Sequence, residues 1–157
     1  MTKEHTTVGH VHLQVADLEQ SLAFYRDLLG FTVTARLGDS AVFLSSGGYH
    51  HHIGLNTWAG PVPPAQGTTA GLYHVAFLYA SRKELAQTLK HLIDAHYPIT
   101  GVADHGVSEA IYLNDPDGIG VEIYCDRPRN EWNVDNDGMV EMVTEPLDVQ
   151  NLLRELD

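Results

Sequence analysis

Apolar positions along the chain follow two spacings, and that pair of spacings occurs twice. From Gly9 a strand-like run, GHVHLQV, leads into Leu18, Leu22, Tyr25, Leu28 and Leu29 at helical spacing. From Gly71 the run GLYHVAFLY leads into Leu85, Leu89, Leu92 and Ile93 in the same way. Asp17 with Gln20, and Ser81 with Glu84, have capping-box spacing, in which a side chain satisfies free N–H groups of the first helical turn. Gly30 is placed to end the first helix and Pro98 to stop the second. Strand runs follow each helix: 31–37, 41–45 and 50–58 in the first copy, 99–104, 108–114 and 120–125 in the second. Turn residues separate them, among them Gly38-Asp39, Gly47-Gly48 and Asp115-Pro116-Asp117-Gly118.

Each half therefore reads β-α-β-β-β, and the expected fold is α+β. Module one covers 8–58, a linker rich in Pro and Gly covers 59–70, module two covers 71–126, and an extension covers 127–157. All belong to one domain, 1–157, in which the two βαβββ modules form a curved eight-stranded mixed sheet around a cleft. The extension ends in an expected helix, Leu147 to Leu156, for packing or dimerisation.

Strand alternation then sorts side chains by face. In HHHIGLN, Ile53 and Leu55 turn to the helix, so His50, His52, Gly54 and Asn56 turn to the cleft. In GVEIYC, Val121 and Ile123 turn inward, which leaves Glu122 and Tyr124 on the cleft side. His10 and His74 hold equivalent places in the two repeats, and His12 shares the face of His10. Glu122 lies on the last strand of copy two, and His52 is read as its counterpart in copy one. Two histidines and a carboxylate with open positions are the donor set of a non-haem Fe(II) oxygenase, which makes the cleft a metal cleft. A fourth protein donor, here His52, would suit a hydrolytic or isomerising metal instead. Trp58, Tyr73, Phe77, Tyr124 and Trp132 are candidate cleft walls, with ordinary core packing as the competing reading. His5, His91 and His96 read as surface residues.

Composition narrows the partners. The 157 residues carry 9 Lys and Arg against 21 Asp and Glu, for a formal net charge of -12. That balance argues against nucleic acid and anionic membranes, both of which need clustered cations. Ten histidines outnumber the Lys and Arg together. Cys125 stands alone, so neither a disulfide framework nor a Cys-rich zinc site can form within one chain. The opening MTKEHTTV lacks an apolar leader, and no apolar run approaches the ~18 residues of a membrane span. A cytoplasmic domain is the expectation.

The stretches HVHLQVADLEQSLAFYRDLLGF, from His10, and LNDPDGIGVEIY, from Leu113, resemble the vicinal oxygen chelate superfamily. That superfamily includes glyoxalases, fosfomycin-resistance enzymes, bleomycin-binding proteins and extradiol dioxygenases. GYHHHIGLNTWAG, GLYHVAF, DHGVSEAIYLNDPDGIGVEIY and DRPRNEW are similar to catechol 2,3-dioxygenase-like members. The resemblance implies metal ligation by His10, His74 and Glu122, with His52 as a candidate fourth ligand. It implies catalytic roles for His52 (or His51), His105 and Tyr112, and a substrate cleft that includes His50, His51, His12, Trp58, Tyr124 and Trp132. The implied activity is Fe(II)-dependent cleavage of a catecholic ring by O2, in a homodimer. Two alternatives stay open: a glyoxalase-like isomerase, lyase or transferase using Ni, Zn, Mn or Co, and a binding protein without catalysis.

Overall fold

A computed structural model describes residues 5–60 and 70–157, which divide into two compact units, Met1–Thr69 and Ala70–Asp157. Most of the expected linker, residues 61–69, lies outside the described residues.

The first unit holds β1 (Val11–Gln14), α1 (Leu18–Leu22), β2 (Thr32–Leu37), β3 (Ala41–Ser45) and β4 (Ile53–Asn56). Its four strands lie in the order β1-β4-β3-β2, with β1 parallel to β4 and the other pairs antiparallel. The second unit repeats this plan with β5 (Val75–Leu78), α2 (Arg82–Asp94), β6 (Ile99–Asp104), β7 (Ser108–Asn114) and β8 (Gly120–Asp126), in the order β5-β8-β7-β6. The α+β fold of two modules is thus present, its eight strands forming two four-stranded mixed sheets. Among the described residues no helix is long and apolar enough to cross a membrane.

Both helix starts obey the capping chemistry. Gln20 N–H donates to Asp17 Oδ1 at 2.8 Å, and Glu84 N–H to Ser81 Oγ at 3.2 Å. The first helix departs from the expected spacing after one turn. Residues Ala23–Leu28 widen into a π-helical stretch, closed by the Leu29 N–H donating to the Phe24 carbonyl at 3.0 Å. The extra residue rotates the following side chains, so Phe24 and Tyr25 are both buried while Leu28 is half-exposed. Strand β4 is shorter than the 50–58 run, and His50, His51 and His52 precede it as irregular chain. The C-terminal helix is α3 (Val149–Leu153) with a 3-10 turn over Arg154–Leu156.

One face of each sheet is apolar and covered. Ile53, Leu55, Val121 and Ile123 are fully buried, as the alternation requires. On the helix side of the second sheet a charged cluster joins four elements. Glu109, 4% exposed on β7, accepts from Arg82 of α2 at 2.6 Å and from Arg127 at 3.0 Å. Arg127 also pairs with Asp104 at the end of β6, while Arg82 reaches Glu155 and Asn151 at the C-terminus. The Arg127 guanidinium holds the Asp104 carboxyl below the usual carboxylate range. Residues 143–145 run antiparallel to the end of β6. Asp104 N–H donates to the Glu145 carbonyl at 2.8 Å, Glu145 N–H returns to Asp104 at 2.9 Å, and Val143 N–H reaches the His105 carbonyl at 3.2 Å.

Candidate metal and substrate site

In the second unit, register brings the expected residues together. Glu122 on β8 pairs with Ala76 on β5 and Tyr112 on β7, and Tyr112 pairs with Gly101 on β6. Side chains at paired positions share a face, so Glu122 and Tyr112 stand side by side on the open one. Just before β5, His74 sets its Nε2 2.9 Å from Glu122 Oε2. Gly120 makes that approach feasible: a Cβ there would collide with the Tyr73 carbonyl and lie 3.0 Å from His74 Cβ. We expect Gly120→Ala to displace His74 and weaken divalent-metal binding roughly tenfold. Metal titration of the folded variant is the check, and unchanged affinity would refute the role given to Gly120.

The donor chemistry of this pair fits a divalent ion. Metal–nitrogen and metal–oxygen bonds of about 2.1 Å place neighbouring ligands of an octahedral ion roughly 3 Å apart. The observed separation is 2.9 Å. Glu122 is 9% exposed, and a buried carboxylate needs such a partner. Within either unit's described residues no three His, Cys, Asp or Glu donors are gathered, so the second unit offers a pair.

Tyr112 and His105 lie beside the pair. The Tyr112 hydroxyl is 2.7 Å from His105 Nε2, and His105 Nδ1 is 2.8 Å from the Val143 carbonyl. Burial, then the Glu122 carboxylate, push the Tyr112 phenol up to about 12. A hollow of about 620 Å³ opens here, lined by His74, His105 and Tyr112 together with small residues such as Gly101, Ala103 and Gly120. Among the described residues no Lys or Arg lines it. Tyr124 is half-buried on the same sheet face and two residues along from Glu122. Phe77, by its pairing with Ile123, belongs to the covered face, and Tyr73 is 90% exposed. Trp132 donates its indole N–H to the Arg127 carbonyl at 2.9 Å, and the Arg129 guanidinium lies over its ring. Cys125 is buried, and burial pushes its thiol up to about 11, so it stays protonated near neutral pH.

In the first unit the remaining histidines cluster around β1 and the chain before β4. His10 and His51 have ring centroids 4.5 Å apart, and His51 also packs 5.1 Å from Phe43. His50 and His51 bring their Nδ1 atoms to 2.7 Å. Thr34, at a bulge in β2, fastens this segment by donating to the His50 carbonyl at 2.7 Å. Partial burial, then the neighbouring histidines led by His10, hold the His51 imidazole below the usual range. His12 lies across Gly54, where a Cβ would meet its ring at 2.8 Å, and packs against Trp58 at 5.3 Å.

Two sequence expectations change here. His52 accepts the Ser46 N–H at Nδ1, at 3.2 Å, with Ser45 Oγ at 3.1 Å. An accepting Nδ1 puts the proton of the neutral ring on Nε2. His52 then has no free lone pair to act as a base or fourth ligand, whereas His51 is the ring beside His10. His52 is also not the counterpart of Glu122. By register β5 sets His74 one place before the Val75–Val121 pair, and β1 sets His10 one place before Val11–Ile53. Gly54 therefore matches Glu122, and His52 matches Gly120. Simple alternation also fails for His51, because residues 50–52 are not strand. Phe43, Ser45, Ser46 and Val143 carry no sequence signal of a place at the site. Phe43 reads as a routine strand residue, and Val143 and Ser46 act through backbone atoms, which no side-chain pattern reports.

The family model described as Glyoxalase/Bleomycin resistance protein/Dioxygenase superfamily matches residues 7–123. The chain belongs to this superfamily. It is 40% identical over 152 residues to a catechol-2,3-dioxygenase of Bacillus subtilis, covering 97% of this chain and 53% of that protein. It is 28% identical to a manganese-dependent 2,3-dihydroxybiphenyl 1,2-dioxygenase of Geobacillus genomosp. 3, over 80% of this chain and 38% of that one. The chain thus spans about half the length of the first of these superfamily relatives and less of the second. A crystal structure of a glyoxalase/dioxygenase from Nostoc punctiforme superposes with a TM-score of 0.68 at 20% identity, covering 80% of this chain and 94% of that one. That likeness concerns the fold.

Proposed function

We propose that this chain is a metal-dependent extradiol-type dioxygenase that cleaves a catechol or a similar vicinal-diol aromatic. The His74–Glu122 pair carries this reading, with Tyr112 and His105 beside it on one sheet face. His10 is proposed as the third ligand, on the resemblance of its HVH stretch. Fe(II) is the favoured metal, and Mn(II) the next candidate. When bound, the metal supplies the redox chemistry that joins O2 to the ring and holds the diol oxygens.

The chain's own groups handle protons and orientation. We assign the base role to His51: its imidazole stays neutral near pH 7, ready to accept a ring hydroxyl proton. Tyr112, kept as a neutral phenol, offers hydrogen bonding to a substrate oxygen without adding charge. His105 holds the Tyr112 hydroxyl in place. The glyoxalase-like alternative is disfavoured because His52, its fourth donor, has Nδ1 engaged by Ser46.

The hollow also bears on the substrate. Apart from the metal itself, a ring carrying a carboxylate would find no Lys or Arg among the described residues that line it, in a chain of net charge -12. A neutral or apolar ring substituent is favoured. We expect kcat/KM for a neutral 3-substituted catechol to exceed that for its carboxylate-bearing analogue by roughly tenfold or more. Equal values would count against this selectivity.

The function is tested by purifying the protein without oxygen, measuring bound metal, and following absorbance of ring-cleavage products over a panel of catechols. Iron or manganese with a coloured product supports the proposal. Nickel or zinc with no product would overturn it.

A further inference from the structure

We infer that residues 143–145 form a positioning strap, in which the Val143 carbonyl fixes the tautomer of His105 and thereby the direction of the Tyr112 hydroxyl. The inference draws on the ring-cleavage reading only for the use made of that hydroxyl. A backbone carbonyl can accept a hydrogen bond and cannot donate one. At 2.8 Å from the Val143 oxygen, His105 Nδ1 must therefore carry its proton. In the neutral ring Nε2 is then a lone pair, and the Tyr112 O–H donates to it at 2.7 Å.

The direction has a consequence for the open face. Glu122 is the other acceptor within reach of this hydroxyl; with the hydrogen taken by His105 at 2.7 Å, Tyr112 does not give it to the carboxylate and meets a substrate hydroxyl as an acceptor. If Nε2 held the proton, Tyr112 would have to accept from His105 and would present a donor instead.

The strap is built to hold this register. It is clipped to β6 by the two Asp104–Glu145 backbone bonds and the Val143 N–H to the His105 carbonyl. Leu147 is buried just beyond it. Gly106, with φ of 75°, turns the chain directly after His105, and even a Cβ there would crowd a Val143 methyl at 3.3 Å.

The test reads the tautomer directly on metal-free protein. Histidine labelled with 15N is followed by two-bond 1H–15N spectra above the imidazole titration range, and the His105 signals are assigned by their loss in His105→Gln. The expected result is the Nδ1–H form in the wild type, retained in Tyr112→Phe because the carbonyl still holds it. Val143→Pro removes the strap's N–H clip. It is expected to move His105 toward the Nε2–H form of free imidazole and to lower kcat about tenfold, with metal content and KM little changed. Met142→Ala, an exposed neighbour, should change neither. An Nε2–H ring in the wild type would overturn the inference, and so would a switch to Nε2–H in Tyr112→Phe, which would make the tyrosine the determinant. Both readings stand even if the proline variant fails to fold. A fixed Nδ1–H tautomer in a protein with no ring-cleaving activity would refute the proposed function and leave the strap intact.

Discussion

His74→Ala is expected to leave a folded protein that no longer binds its divalent metal and cleaves no catechol above background. His74 is half-buried before β5, so circular dichroism should still report a folded chain, with a melting temperature lowered by the loss of the group that faces buried Glu122. The loss at the site is severe for two reasons. One nitrogen donor disappears, and Glu122 is left as a buried carboxylate without the group that faced it at 2.9 Å. Removing one of the three proposed ligands is expected to lower metal affinity by orders of magnitude. Metal per chain after anaerobic loading, with ring-cleavage rates, gives the measurement. Full metal content with normal turnover would remove His74 from the ligand set.

The second large effect is on stability. Arg127→Ala is expected to destabilise the second unit by roughly 2–3 kcal/mol and to blunt its acid denaturation. Arg127 touches both Asp104 and the buried Glu109; its removal takes the cation from Asp104, which keeps the Gly106 N–H, and halves the support of Glu109. Arg82 still reaches Glu109, so the effect falls short of a fully orphaned buried charge. The pH dependence follows from Asp104, whose folded-state pKa lies below its unfolded value. Its stabilising contribution is complete above the unfolded carboxylate pKa and disappears as pH falls through the lowered folded one. The variant should lose stability near neutral pH and show a shallower loss below about pH 4. Urea unfolding at several pH values is the check. A constant difference from wild type down to pH 2 would contradict the assignment.

The parts legible in the sequence were those encoded by side chains at fixed spacing. Asp17 and Ser81 announce their helices, and Asp115 announces its turn, where its Oδ1 accepts from the N–H groups of Asp117 and Ile119. Glu122 and Tyr124 could be put on one face because β8 is regular along its whole length. The misreadings occurred where period two or period 3.6 breaks. The π-helical stretch shifted the buried set to include Phe24, and the irregular chain at 50–52 exchanged the expected places of His51 and His52. Alternation is a property of strands, and three consecutive histidines outside a strand carry no face information. The strap was invisible because a carbonyl is the same atom in every residue.

The match between Gly54 and Glu122 has a consequence for engineering. The two repeats offer equivalent positions, yet one half holds a carboxylate and the other lacks even a Cβ. The His12 ring fills that space, 2.8 Å from where a Cβ would stand. A Gly54→Glu replacement that copies the second half into the first must therefore turn the His12 ring aside. The two positions touch, so the effects of changing Gly54 and His12 together are not expected to add.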